Sequence, residues 1–585
     1  MCAMLEYMSS QILEEVILMV KHFRTTLALA AVMCFIVSGI ASAAPDNALI
    51  IGGENGLAVS THPLADLAGQ NILDKGGNAI DAAVAVGYAL AVVHPQAGNI
   101  GGGGFAVIHT ADGKDYALDF REMAPGAATR DMYLDEKGNV VPLASTRTYL
   151  AAGIPGTVAG MSAMLDRFGT MKLSEVMAAA IDMAENGHPI TERQAGVLAA
   201  NHNKLSKFPT GRKYFLKADG TDYRAGEIFV QSDLAETLKR IAAEGPKGFY
   251  EGKTAELIEA DMKANGGLIT KEDLLKYEVK WREPSTAYYR GYKITSMCPP
   301  SSGGAIIAEI LNVMENADMR TLWAASPAEA LHIMAEAMRQ AYADRSEYMG
   351  DPDFVNVPVA ELTSKEYAKK IYERIVPGKA APSDNVRPGL TQLHEGDNTT
   401  HYSVVDKFGN AVSVTYTINE TWGSGAAVDG AGFMLNNEMD DFSIKPGVPN
   451  VYGLVGGDAN SIAPYKRPLS SMSPSIVSLN GKTLLVAGSP GGSRIITTVL
   501  QVIANVVDRR MAINAAVSAP RYHMQWLPDE LRIEPDNDLN NAEVEKLVGM
   551  GYKLSVQPYM GDVNAIMIDP DTGKITGTHD TRMEF

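Results

Sequence analysis

Two spacings of apolar residues divide the chain. Between residues 62 and 350 apolar positions mostly recur every three or four residues, which predicts helices, and the stretches 79–93 and 325–342 carry the pattern furthest. Two alternating runs at 105–109 and 116–120, joined by Asp112-Gly113, predict a hairpin inside this region. The run Gly101 to Gly104 precedes it without a following Gly-Lys-Ser/Thr, so it predicts close backbone packing and not a phosphate loop. The helical pattern breaks at Pro299-Pro300-Ser301-Ser302-Gly303-Gly304. Between 375 and 398, Pro377, Pro382, Pro388, Gly389 and the polar end Glu395-Gly396-Asp397-Asn398 predict a flexible surface segment. From Thr399 the period falls to two. Runs at 402–406 and 411–418 flank a Lys-Phe-Gly-Asn turn, further strands are predicted at 433–435, 476–478 and 483–487, and a helix over 491–507. This is a sheet with helices packed on it, an α+β arrangement.

Composition narrows the class. The 585 residues are 46% hydrophobic and 21% charged, enough for a substantial core, which excludes a small binding module and wholesale disorder. Acidic residues outnumber basic ones 69 to 51, a net charge of -18, so no phosphate-tracking surface and no nucleic acid partner are expected. Near the N-terminus, Lys21 and Arg24 precede an apolar stretch at 27–37 and the small run Ala41-Ser42-Ala43-Ala44. That is the layout of a secretory signal over 1–43, too short in its apolar part to span a bilayer, and a start at Met19 would give it the usual proportions. Of three cysteines, Cys2 and Cys34 fall in the signal, leaving Cys298 alone and no intramolecular disulfide. No Cys-x-x-Cys pair and no His/Cys/carboxylate cluster at zinc spacing occurs, so neither metal nor cofactor is expected. The expectation is a bacterial protein of the periplasm or medium, with no stable membrane anchor.

A threonine at the start of a strand is ordinary by itself. The hairpin makes Thr399 less so: with the turn near Phe408, residue 399 lies opposite 417 or 418, which places Thr415, Thr417 and Asn419 on its face. A chain cut before Thr399 would expose an α-amino group with a pKa near about 7.7, a general base for the threonine's own hydroxyl.

Five separated motifs carry a resemblance. Asp119-Phe120-Arg121-Glu122-Met123-Ala124-Pro125, Thr399-Thr400-His401-Tyr402-Ser403, Asn436-Asn437-Glu438-Met439-Asp440-Asp441, Pro468-Leu469-Ser470-Ser471-Met472-Ser473-Pro474 and Gly488-Ser489-Pro490-Gly491-Gly492-Ser493 resemble those of the bacterial γ-glutamyltransferases, or γ-glutamyltranspeptidases. The resemblance covers nearly all of the chain after the signal. It implies an N-terminal-nucleophile hydrolase: a four-layer αββα sandwich made as one precursor, cut between Asn398 and Thr399 into a large subunit, 44–398, and a small catalytic subunit, 399–585, that stay associated. The substrates implied are γ-glutamyl amides such as glutathione or glutamine, with water, amino acids or dipeptides accepting the acyl group from Thr399.

Each residue in these motifs has a physical task in that reaction. A buried α-carboxylate calls for a guanidinium and hydroxyl donors, which Arg121, Ser470 and Ser471 offer. The α-ammonium calls for acceptors, and Asp441, Glu438 and Asn419 fit. Thr417 stands beside the nucleophile. The tetrahedral oxyanion calls for backbone N–H groups at a helix start, where Gly491 and Gly492 lie. Residues 442–453 resemble a lid loop, with Tyr452 as its gating aromatic. Two rivals remain: an acylase acting on glutaryl side chains or poly-γ-glutamate, which would share Thr399 without needing an ammonium site, and a binding protein that keeps only the fold. A serine hydrolase is disfavoured because Gly-x-Ser-x-Gly does not occur.

Overall fold

Both large sheets of the protein combine strands from before and after residue 399. The computed structural model describes residues 49–386, 399–445, 448 and 456–582; the signal segment with Met19, the residue Asn398 and the lid aromatic Tyr452 lie outside the described residues. In chain order the strands of these two sheets are β1 (Ile50–Ile51), β2 (Gly56–Val59), β3 (Gly103–His109), β4 (Asp115–Phe120), β5 (Lys280–Arg282), β6 (Ser285–Tyr289), β7 (Tyr292–Ser296), β8 (Thr400–Asp406), β9 (Ala411–Thr417), β10 (Ser475–Leu479), β11 (Lys482–Gly488), β12 (Asn564–Ile568) and β13 (Ile575–His579). One sheet runs β2-β8-β9-β3-β4-β5 and the other β1-β13-β12-β11-β10-β7-β6, every neighbouring pair antiparallel. The two sheets face each other and each carries helices on its outer side, the four-layer αββα arrangement of the N-terminal-nucleophile fold.

Alternation along β8 and β9 explains the layering. Tyr402, Val404, Val412, Val414 and Tyr416 point away from the second sheet and join the core made with α1 (Pro63–Asp74), α2 (Ala79–Val93) and α3 (Thr157–Phe168). All fifteen residues of α2 are buried, and its start is held by a capping box between Asn78 and Asp81. Beyond the other sheet, α4 (Gly303–Met314), α5 (Pro327–Tyr348) and α6 (Ile495–Val507) form the second helical layer. A cut before residue 399 therefore leaves two chains whose strands share ladders in both sheets, so separation would break both at once.

Several expectations need correcting. The region 155–350 is not helical throughout, because β5, β6 and β7 lie within it. They are five residues long or fewer, and only β6 shows a buried and exposed alternation, too short a run to stand out from the helices around it. Residues 433–435 make one isolated bridge, Ala427 to Met434, and no strand. The segment after 375 lies at the surface where it is described, as expected, but it is anchored at Ser383, which is buried and donates to the Trp526 carbonyl at 2.6 Å while Trp526 Nε1 donates back at 3.1 Å. The helix predicted over 325–342 continues to Tyr348 and is buried round most of its circumference, so it is a core helix and not a half-exposed one. The glycines at 101–104 sit where an added Cβ would meet a backbone oxygen at 2.0 to 2.5 Å, which is the close packing expected of them.

Candidate active site

The pairing of Thr400 with Tyr416 sets Thr399 opposite Thr417 at the end of the hairpin, on the face turned toward the second sheet. That face is unusually polar. Thr399, His401 and Ser403 stand beside Thr417, Thr415 and Ser413, and the serines reach across the gap: Ser403 Oγ donates to the Asn564 carbonyl at 3.0 Å and Ser413 Oγ to that of Ala487 at 3.3 Å. Hydroxyls thus replace apolar side chains where the sheets approach most closely; a Cβ at Gly488 would lie 2.3 Å from the His401 ring.

Thr399 is buried, and its hydroxyl donates to Thr417 Oγ1 at 3.3 Å; the same oxygen accepts the Asn419 N–H at 2.8 Å. Asn419 leaves the strand with φ of 74°, and its Nδ2 donates to the Asn437 carbonyl at 2.9 Å. That bond fixes the amide's orientation and leaves Oδ1 for the cleft. His401 is not poised as a base. Its Nδ1 is bonded to Thr415 Oγ1 at 2.8 Å, its Nε2 to Ser403 Oγ at 3.0 Å, and burial pushes its pKa down to about 3.

Thr399 opens into a cleft whose described walls include Arg121, Thr417, Asn419, Glu438, Asp441, Ser470, Ser471 and Gly492. Arg121 follows directly on β4 and is fully buried. Its NH1 donates to Glu438 and its NH2 to Asp441 Oδ2 at 2.5 Å, with Glu122 Oε2 at 3.4 Å from NH1. The turn Glu438–Asp441 presents both acids from one 3-10 helix. Three buried carboxyls around one guanidinium cannot all ionise cheaply. Burial raises Glu438 well above the usual carboxylate range and raises Asp441, and it pushes Glu122 up to about 7, each against the pull of Arg121. For Arg121 itself burial works against the charge, but Glu438, Glu122 and Asp441 outweigh it and hold the guanidinium charged.

Across the cleft, Ser470 and Ser471 lie in the extended run before β10. Ser470 Oγ accepts the Met472 N–H at 3.1 Å, and the Ser470 backbone is clamped by the Pro300 carbonyl at 2.9 Å and the Ser302 N–H at 2.8 Å. Gly491 and Gly492 turn β11 into a short 3-10 start ahead of α6 with φ of 131° and 53°, conformations that L side chains rarely adopt. Neither of their N–H groups has an acceptor among the described residues. Gly492 lines the cleft; Gly491 stands one residue behind it.

The sequence reading missed part of this wall. Arg345, near the end of α5, lines the cleft, donating from Nε to Ser302 Oγ at 2.8 Å and from NH2 to Ser471 Oγ at 3.1 Å. It is fully buried, and burial pushes its pKa down to about 10 despite Tyr342 and Asp441. Asn460 ties the acid turn to the serine run, donating to the Asp441 carbonyl at 2.7 Å and accepting the Leu469 N–H at 2.9 Å. An arginine on a helix buried nearly all round was the available signal for Arg345; nothing local marked Asn460. Cys298 is buried away from the cleft, and burial pushes its thiol up to about 12.

Residues 65–584 match the family model described as Gamma-glutamyltranspeptidase. The glutathione hydrolase proenzyme of Escherichia coli K12 is 51% identical over 532 residues, 91% of each chain. The crystal structure of Helicobacter pylori gamma-glutamyltranspeptidase is 60% identical over 60% of this chain and 100% of its own, with a TM-score of 0.57. The cephalosporin acylase of Bacillus halodurans, 28% identical over 92% of this chain and 95% of its own, superposes with a TM-score of 0.81. The family match takes in every described wall of the cleft, and the chain belongs to the γ-glutamyltranspeptidase family.

Proposed function

We propose that the precursor cuts itself between Asn398 and Thr399 and that the freed small chain attacks γ-glutamyl amides, glutathione among them, through the Thr399 hydroxyl. The observation that carries this reading is the hydroxyl itself: at the end of the hairpin, bonded to Thr417, facing a cleft with a zwitterion's worth of complementary charge. The cleft walls include no histidine among the described residues, so the base falls to the α-amino group that the cut creates. That amine takes the hydroxyl proton as the oxygen attacks the γ-carbonyl. The tetrahedral oxyanion is met by the Gly491 and Gly492 N–H groups, the amine leaves with the proton, and water or an amino acid or dipeptide then takes the acyl group from Thr399.

Recognition works by exchange of ionic partners. In the free cleft Arg121 is neutralised by Asp441 and Glu438. A γ-glutamyl group brings an ammonium for those acids and for Asn419 Oδ1, and a carboxylate for the released guanidinium and the Ser470 and Ser471 hydroxyls. A glutaryl group lacks the ammonium and would leave the acid pair uncompensated, which favours the transferase over the acylase reading. Tyr452 and its loop would close over the bound substrate. Among the described residues no helix is long and apolar enough to cross a membrane; with the N-terminal signal, the proposed location is the periplasm or the medium.

The test is release of p-nitroaniline from L-γ-glutamyl p-nitroanilide, with and without a dipeptide acceptor. We expect hydrolysis alone and a faster, product-diverting reaction with the acceptor. Turnover of the glutaryl anilide at a comparable kcat/KM would sink the reading in favour of the acylase.

A further inference from the structure

Arg345 is a buried cation that Asp441, itself paired with Arg121, attracts only from beyond ion-pair distance. Its Nε and NH2 are spent on two serine hydroxyls, no carboxylate forms an ion pair with it among the described residues, and NH1 has no protein partner there. Arg121, the other guanidinium of the cleft, is surrounded by three acids. A guanidinium so far from water costs free energy unless a negative charge arrives to meet it. The cleft is where one can arrive, because Arg345 is part of its wall.

Its hydrogen bonds point to the same side of the substrate. By donating to Ser471 Oγ, Arg345 fills a lone pair of that hydroxyl and leaves its proton for another acceptor. Ser302 Oγ accepts from Arg345 Nε and donates to the Ser470 carbonyl at 2.8 Å, which fixes the backbone of the same serine pair. Both serine hydroxyls therefore accept from the protein, Ser470 from the Met472 N–H and Ser471 from Arg345, and each keeps an O–H to give.

We propose that Arg345 is a specificity-determining residue for the substrate's α-carboxylate: it orients Ser470 and Ser471 as donors and supplies a second positive charge, one that no carboxylate among the described residues pairs with directly. This rests on the γ-glutamyl reading of the cleft. It assigns the carboxylate end to a residue carried by α5, 54 positions before the nucleophile, so the larger chain completes the pocket of the smaller.

The experiment compares L-γ-glutamyl p-nitroanilide with 4-aminobutyryl p-nitroanilide, which differs only by lacking the α-carboxylate. Arg345→Gln is expected to lower kcat/KM for the γ-glutamyl substrate by about 100-fold, chiefly through KM, and to change the aminobutyryl reaction by less than about threefold. Arg345→Lys, which keeps the charge but not the fork, should fall between. Where the aminobutyryl anilide turns over too slowly, competitive inhibition constants for L-glutamate and 4-aminobutyrate give the same comparison. Should Arg345→Gln remain uncut, Arg345→Lys is read in the same way, and a loss confined to the carboxylate-bearing compound supports the assignment. An equal loss on both compounds in the self-cut variants, or no loss on either, overturns it. Failure of the wild type on the γ-glutamyl anilide would instead remove the γ-glutamyl reading itself.

Discussion

The Thr399 hydroxyl donates to Thr417 Oγ1 at 3.3 Å, and it does so because the two residues are cross-strand partners at the open end of one hairpin. The pairing holds the nucleophile by the sheet ladder and not by a loop, which keeps its position before and after the cut. Thr417 also accepts the Asn419 N–H, so its lone pairs face Thr399 and the turn that leads to the ammonium side of the cleft.

Purified wild type is expected as two unequal chains, the smaller beginning Thr-Thr-His-Tyr, while Thr399→Ala stays a single inactive chain. Thr417→Val, which keeps the shape and removes the acceptor, should slow both self-cutting and turnover by about tenfold, the worth of one buried hydrogen bond. Denaturing electrophoresis with N-terminal sequencing reads the first result and a time course the second. An intact wild type with full activity would remove the mechanism.

Asp441→Ala should still cut itself yet lose two to three decades or so in kcat/KM on the γ-glutamyl anilide, because it frees Arg121 but leaves the ammonium unmet. On the glutaryl anilide the same change should cost little. Arg121→Ala is expected to be worse for the fold than for recognition, since it strands Glu122, Glu438 and Asp441 in one buried pocket without a cation. Equal discrimination between the two anilides in wild type and Asp441→Ala would show that Asp441 does not read the amine.

The base can be identified from the pH profile. An α-amino group on Thr399 predicts an acid limb of kcat/KM near about pH 7.7. His401, held neutral by burial, should not contribute, so His401→Gln is expected to lower activity through packing while leaving the midpoint in place. A midpoint that moves with His401 would make the histidine part of the proton path.

Glu122 predicts how stability depends on pH. Burial outweighs Arg121 and raises its carboxyl from the ordinary 4.5 to about 7. Between those values the folded protein holds a proton that the unfolded chain has released, so this contribution is complete below pH 4.5 and is lost as pH rises through 7. Thermal unfolding of the uncut Thr399→Ala chain should therefore show a Tm that falls from pH 5 to pH 8. Adding Glu122→Gln, which has no proton to lose, should reduce that fall by about 1–3 °C. An unchanged slope would mean that Glu122 is ionised throughout.

What the sequence determined by itself is the part of the site that depends on nearest neighbours in the chain. Strand length and a four-residue turn were enough to narrow the partner of Thr399 to residue 417 or 418, because a hairpin's register follows largely from its own residues, and the ladder then settles on Thr417. The glycines at 101–104 and at 491–492 announced close approach and unusual backbone in the same local way. The family motifs then named Arg121, Glu438, Asp441, Ser470 and Ser471 without their geometry. Tertiary structure decided which charges meet. Arg121 finds its acids 317 and 320 positions away, and Arg345 finds Ser471 across 126. No periodicity reports such pairs, since they arise only when two sheets close face to face and α5 packs into the outer helical layer. The short strands at 285–296 failed to show for the related reason that β7 takes its place in the sheet only beside β10, with Ser296 paired to Ser475 from far along the chain. Burial, which sets the protonation of His401, Glu122 and Arg345, is likewise a property of the closed sandwich and not of any segment within it.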